Sequence, residues 1–71
     1  MTDNRLQQLG FAIRSERKKQ GISQEALANK AQLDRSYMGR IERGEKNITV
    51  LKLFQIADAL EVPPSRLLRD A

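Results

Sequence analysis

The chain has no cysteine, no histidine and no tryptophan, and only two prolines, two phenylalanines and one tyrosine. Without cysteine there is neither a disulfide nor a thiolate metal site. Without histidine the usual general base and the commonest transition-metal ligand are missing too. Ser23, Ser36 and Ser65 have no histidine to activate them, which sets nucleophilic catalysis aside. No apolar run approaches the length of a membrane span, and the N-terminus shows no apolar signal-peptide core. A cytoplasmic protein without metal, cofactor or enzymatic chemistry is expected.

What is present is a small basic chain. Seventy-one residues make one domain, 1–71, with room for a single modest core. Domains of this size are marginally stable alone, so self-association is a reasonable expectation before any motif is read. The net charge of +4 is unevenly placed: ten basic and six acidic residues precede Asn47, and three of each follow from there on. A basic half backed by a neutral half suits a nucleic-acid face opposite a second contact. The first helix is a poor membrane-surface helix, because its charges are mixed and its apolar stripe is needed for the core.

The helices can be read from caps and stripes. Thr2 or Asp3 can cap a first helix that runs to about Gln20, with Leu6, Leu9 and Ile13 on one face and Gly21 as its stop. Ser23 caps a second helix packed through Leu27, Ala28 and Ala31, the small Ala28 allowing a close crossing. Gln32 and Leu33 make a tight turn, and Asp34 caps a third helix, Arg35 to Arg43, ended by Gly44. After a polar connection, Thr49 caps a fourth helix with Val50, Leu53, Ile56, Ala57 and Leu60 facing inward. Pro63 and Pro64 stop it and open a fifth helix, Ser65 to about Arg69. The expected fold is all-α: a compact five-helix bundle containing a helix-turn-helix.

Two short helices joined by a tight turn, the second with arginines outside, form the layout of a helix-turn-helix that lays its second helix in the DNA major groove. At about 100° per residue, Met38 and Ile41 face the core while Ser36, Gly39, Arg40 and Arg43 gather opposite, with Arg35 at the exposed start. Arginine can bond a guanine edge through two parallel N–H groups, worth about 1–3 kcal/mol of discrimination. Arg35 and Arg40 are therefore the base-reading candidates. Ser36 is a smaller contact to base or phosphate, and Arg43, one turn on, a phosphate contact. Tyr37 lies between the core and DNA faces, its ring suited to the former and its hydroxyl to a phosphate. Ser23 and Gln24 at the start of the second helix can hold a phosphate with the free N–H groups there. Lys46 and Asn47 in the following loop are further phosphate candidates, the alternative being plain solvation. Gly39 costs about 1 kcal/mol of helix propensity relative to alanine, which close approach to DNA or an indifferent exposed site would each explain.

With these residues in place, the chain resembles the lambdoid phage repressor and Cro class, the Xre family. The resemblance spans about Leu9 to Leu68. It is most specific in Ser23-Gln24-Glu25-Ala26-Leu27-Ala28, in Ile41-Glu42-Arg43-Gly44 and in Ile56-Ala57-Asp58-Ala59-Leu60. Within that family, Asp34-Arg35-Ser36-Tyr37 followed by Ile41 to Gly44 is similar to the controller proteins of restriction–modification systems, small dimeric activators and repressors. The resemblance implies DNA contacts at Gln24, Arg35, Ser36, Tyr37, Arg40 and Arg43, and a structural ion pair between Arg17 and Glu42. A two-fold dimer would set its reading helices about 34 Å apart on a pseudo-palindromic operator. An activator of this class would also meet RNA polymerase. The same pattern suits a phage-type or chromosomal repressor, or an antitoxin or adapter using the fold for protein contacts. No small-molecule ligand is implied.

The sequence departs from the family pattern at Gln32, where many relatives have glycine, and at Glu16, where an apolar residue is usual. The first requires a strained backbone or a modified turn. The second requires the carboxylate to snorkel or to pair with a nearby lysine. Phe11, Leu51 and Phe54 are apolar beyond what the core stripes need. Leu51 and Phe54, with Leu67 and Leu68, are the candidates for an isologous dimer contact, a local cover over the core being the alternative.

Overall fold

Five helices follow one another in the computed structural model, which describes residues 4–71: α1 Asn4–Lys19, α2 Gln24–Ala31, α3 Arg35–Glu42, α4 Val50–Leu60 and α5 Pro64–Leu68. The expected caps of α1, Thr2 and Asp3, lie outside the described residues. Short polar side chains start the next three helices. Ser23 Oγ accepts from the Ala26 N–H at 3.0 Å, Asp34 from Tyr37 at 3.2 Å and Thr49 Oγ1 from Lys52 at 3.1 Å. Each such cap contributes about 1 kcal/mol by satisfying a donor that the helix leaves open. α5 starts one residue earlier than expected, because Pro64 occupies its first position, where a missing N–H costs nothing. α3 ends at Glu42 with Arg43 as its cap.

The helices close over one core. Ile13, Leu27, Met38, Ile41, Ile56, Leu60 and Leu67 are its largest fully buried side chains. Two expectations from the sequence change here. Val50 is 65% exposed rather than inward: it is the first residue of α4, turned about 120° from Ile56 and beyond the reach of the core. Leu67 is only 1% exposed, so it belongs to the core and is unavailable to a dimer. α5 packs on both α1 and α4, and Leu67 is the residue it buries between them.

α1 and α3 come together through Gly10. A Cβ there would run into the Glu42 carbonyl oxygen and stand 2.5 Å from that of Ile41. Only glycine lets the first helix lie this close to the end of the third. The turn between α2 and α3 keeps its left-handed residue despite lacking glycine: Gln32 has φ 60° and ψ 41°. Its N–H reaches Asn29 O at 3.1 Å and that of Leu33 reaches Ala28 O at 2.8 Å, which closes the last turn of α2. Glutamine side chains tie the remaining ends, Gln20 Nε2 donating to Leu60 O at 2.7 Å and Gln55 Nε2 to Ala31 O at 3.3 Å. Glu16 is buried, yet its carboxylate reaches Arg66 at 3.5 Å and Lys19 at 3.7 Å, so an α5 arginine joins the expected lysine. No helix among the described residues is long and apolar enough to cross a membrane.

Candidate nucleic-acid interface

The start of α2 and the outer face of α3 meet in one shallow, open groove lined by Gln24, Arg35, Ser36, Gly39, Arg40 and Arg43. Five of the expected contact residues are thereby brought together on a single surface. The N-terminus of α2, with its free N–H groups, lies beside them. Arg35 and Arg40 are exposed and hold no ion pair among the described residues, so their guanidinium groups are available to a partner.

Beneath this groove a buried cluster fixes the angle between α1, α2 and α3. Arg17 donates to Glu42 twice, from Nε at 2.9 Å and Nη2 at 3.1 Å, and from Nη1 to the Ile22 carbonyl at 3.1 Å. Glu42 also accepts from Gln24 Nε2 at 3.2 Å. The two charged side chains are 11% and 4% exposed, and no buried side-chain polar atom among the described residues lacks a partner. A buried pair this well bonded holds geometry at little net cost, provided that both partners stay.

Gly39 differs from its expected role. It is buried under its own protein, not open to a duplex. A Cβ there would stand 3.3 Å from both Gln24 Oε1 and Arg43 Nη1, tighter than ordinary contact. The missing side chain thus makes room for two polar side chains that cross over α3.

Arg43 is paired at the surface with Glu45, its Nε 2.9 Å from Oε2 and its Nη2 3.4 Å from Oε1. The hydrogen bond from Arg43, with its positive charge and that of Arg40, holds the Glu45 carboxyl below the usual carboxylate range. The pair is therefore intact at neutral pH and is lost only as pH falls through that lowered value.

The other expected contacts lie outside the groove. Ser23 is occupied as a cap by Ala26 N–H. Tyr37 is half-buried against the core, with the Lys52 ammonium 5.8 Å from its ring centroid. Lys46 and Asn47 lie in the loop before α4. Two residues near the groove are absent from the sequence reading. One is Glu45; the other is Arg14, which lines an adjoining groove with Arg17, Gln24, Glu42 and Arg43. The helical position of Arg14, one turn before Arg17 on the side turned toward α3, is the signal that could have found it.

On the apolar side, Leu51 is 69% exposed, Phe54 46% and Leu68 45%, and Val50 extends the strip on the first turns of α4. Phe11, 62% exposed, lies on α1, between Arg14 and Lys18 on one flank and Arg66 and Arg69 on the other.

An all-helical domain with a capped helix-turn-helix and an arginine-bearing second helix defines a class, and comparison with known proteins agrees. The chain belongs to the helix-turn-helix family, whose model matches residues 13–67. It is 39% identical over 69 residues to the control protein C.BamHI of Bacillus amyloliquefaciens, across 96% of this chain and 85% of that protein. Among solved structures, the restriction–modification controller protein C.AhdI from Aeromonas hydrophila superposes with a TM-score of 0.89 at 38% identity, over 92% of this chain and 98% of that one. The controller protein C.Esp1396I, solved as a tetramer in complex with its natural 35 base-pair operator, gives a TM-score of 0.86 at 36% identity over 94% of this chain and 88% of that one.

Proposed function

We propose that this chain is a transcription regulator of the restriction–modification controller type, binding a pseudo-palindromic operator as a homodimer. The observation that carries the proposal is the groove in which Gln24, Arg35, Ser36, Arg40 and Arg43 converge on the outer face of α3. A basic, polar surface on a short exposed helix of a helix-turn-helix is what major-groove reading requires. The likeness to an operator-bound controller protein supports it.

In this reading Arg35 and Arg40 read base edges and Ser36 makes a smaller contact. Gln24, Arg14, Lys46 and Asn47 meet phosphates, together with the N-terminus of α2 that Ser23 caps. The Tyr37 hydroxyl reaches the backbone from the edge of the core. The strip of Val50, Leu51, Phe54 and Leu68 joins two copies, which sets the reading helices one DNA turn apart. Activation would bring RNA polymerase to a surface that neither DNA nor the second copy covers. The protein acts in the cytoplasm by binding alone, without catalysis, cofactor or effector, so its own concentration and the operator arrangement set the response.

Selection of bound sequences from random duplex DNA tests this, with the Arg35→Ala, Arg40→Ala double variant beside the wild type. A palindrome enriched by the wild type and blurred in the variant is the expected result. Weak binding without enrichment, abolished by salt, would reduce the protein to a basic helical bundle. A methyltransferase and an endonuclease encoded next to it would separate a controller from a phage-type or chromosomal repressor.

A further inference from the structure

Two polar side chains cross above Gly39, and each is tied to a carboxylate. Gln24 comes from α2 and donates to Glu42 at 3.2 Å; Arg43 comes from the end of α3 and donates twice to Glu45, at 2.9 and 3.4 Å. Glu42 is buried and shared with Arg17, so its structural role is evident. Glu45 has no such role. Its side chain is about half exposed (52%), it belongs to no helix, and among the described residues its carboxylate bonds Arg43 alone. A carboxylate at the edge of a DNA-facing surface repels phosphate, which makes its engagement there informative.

The geometry of the pair shows what it leaves free. The carboxylate takes the side edge of the guanidinium, Nε and Nη2. The end edge, Nη1 with the second N–H of Nη2, remains open, with Nη1 poised over Gly39. That end edge is the fork that can bond two acceptors side by side, as on the O6 and N7 of guanine. A free Arg43 on its flexible stem would instead take the nearest phosphate as a mobile cation. Held by Glu45, it has little surplus charge to offer a phosphate and a fixed fork to offer a base.

We propose that Glu45 is a specificity-determining positioning residue: it braces Arg43 side-on over Gly39 so that the arginine reads a guanine edge and does not neutralise a phosphate. The proposal rests on the DNA-reading function above and makes Arg43, expected from the sequence to be a phosphate contact, a base reader.

The test measures binding of the full chain to its selected operator and to random duplex of equal length, over a series of salt concentrations. Wild type, Glu45→Ala and Asp58→Ala are compared, the last removing an exposed carboxylate from α4 as a control for net charge. The expected result for Glu45→Ala is an operator-to-random ratio lowered about tenfold, mainly through tighter random binding. Its salt dependence steepens by about one phosphate contact, and base preference relaxes at one position in each half-site. The melting temperature stays near that of wild type, because Glu45 is exposed and its side-chain bonds are at the surface. An unchanged ratio, or equal gains on both duplexes matching those of Asp58→Ala, would overturn the proposal and leave Glu45 a mere charge. A wild type with no operator preference would overturn the DNA-reading function as well, and is distinguished by failing before any variant is compared.

Discussion

Around α3 the exposed surface is polar and two of its side chains are tied in place, Gln24 to Glu42 and Arg43 to Glu45. Over the first turns of α4 and the end of α5 it is apolar, and Val50, Leu51, Phe54 and Leu68 project without a polar anchor. The proposed function gives the two regions different tasks. Reading a base depends on direction, because a hydrogen bond weakens steeply once its angle is lost. Holding a second copy depends on apolar area, which has no direction. In the first region, therefore, removing a bond should damage geometry; in the second, adding a charge should damage association while the fold stays whole.

The sharpest way to break the first region is Glu42→Ala. It strands the Arg17 guanidinium, which is 11% exposed, and releases Gln24. Removing one partner of a buried pair costs about 3–5 kcal/mol, comparable to the whole stability expected of a domain this small. The variant should be largely unfolded at room temperature, as urea titration followed by circular dichroism would show. A loss below about 1 kcal/mol would mean that the cluster is solvated and that α1, α2 and α3 hold their angles by packing alone.

The matching change in the second region is Leu51→Glu with Phe54→Glu. Both side chains are exposed, at 69% and 46%, so helicity should change little and melting should fall only by what association contributes. Two copies should separate, as sedimentation would report. Operator affinity should fall at least about a hundredfold, because each half-site is then bound without the gain from linkage to the other. A dimer that survives would move the interface elsewhere, with the exposed Phe11 on α1 the next surface to test.

How much of each region is legible in the sequence follows from how local its determinants are. Ser23, Asp34 and Thr49 mark helix starts because a short polar residue before an apolar stripe bonds a donor only three residues away. The outer face of α3 is legible too, since one helix period separates Met38 and Ile41 from the arginines. Val50 and Leu67 are misread for the opposite reason: neither the period of α4 nor the apolar surplus of α5 reveals which helix lies across from a side chain. The role of Gly10 depends on the carbonyls of Ile41 and Glu42, more than thirty positions away, and leaves no local trace. Glu45 is close to Arg43 in sequence, yet their pairing depends on how the chain turns at Gly44, whose φ is 77°. Gly39 shows the limit most clearly. Its position on the outer face of α3 is readable, but the two side chains that fill the space above it are not.

The smallest expected effect tests the seam between α2 and α3. Gln32 sits in the left-handed region at φ 60°, where a Cβ crowds the following carbonyl at a cost of about 1–2 kcal/mol. Glycine escapes that crowding but loses more chain entropy on folding, about 0.5–1 kcal/mol. Gln32→Gly should therefore stabilise the protein by about 0.5–1 kcal/mol, a rise of several degrees in melting temperature for a chain of this length. Gln32 is exposed, and its backbone N–H already makes the bond that a glycine there would make. Operator specificity should consequently be unchanged. If specificity moved with the melting temperature, the strain at this turn would be part of what sets the pitch of α3 against DNA, and the reading face could no longer be understood from its side chains alone.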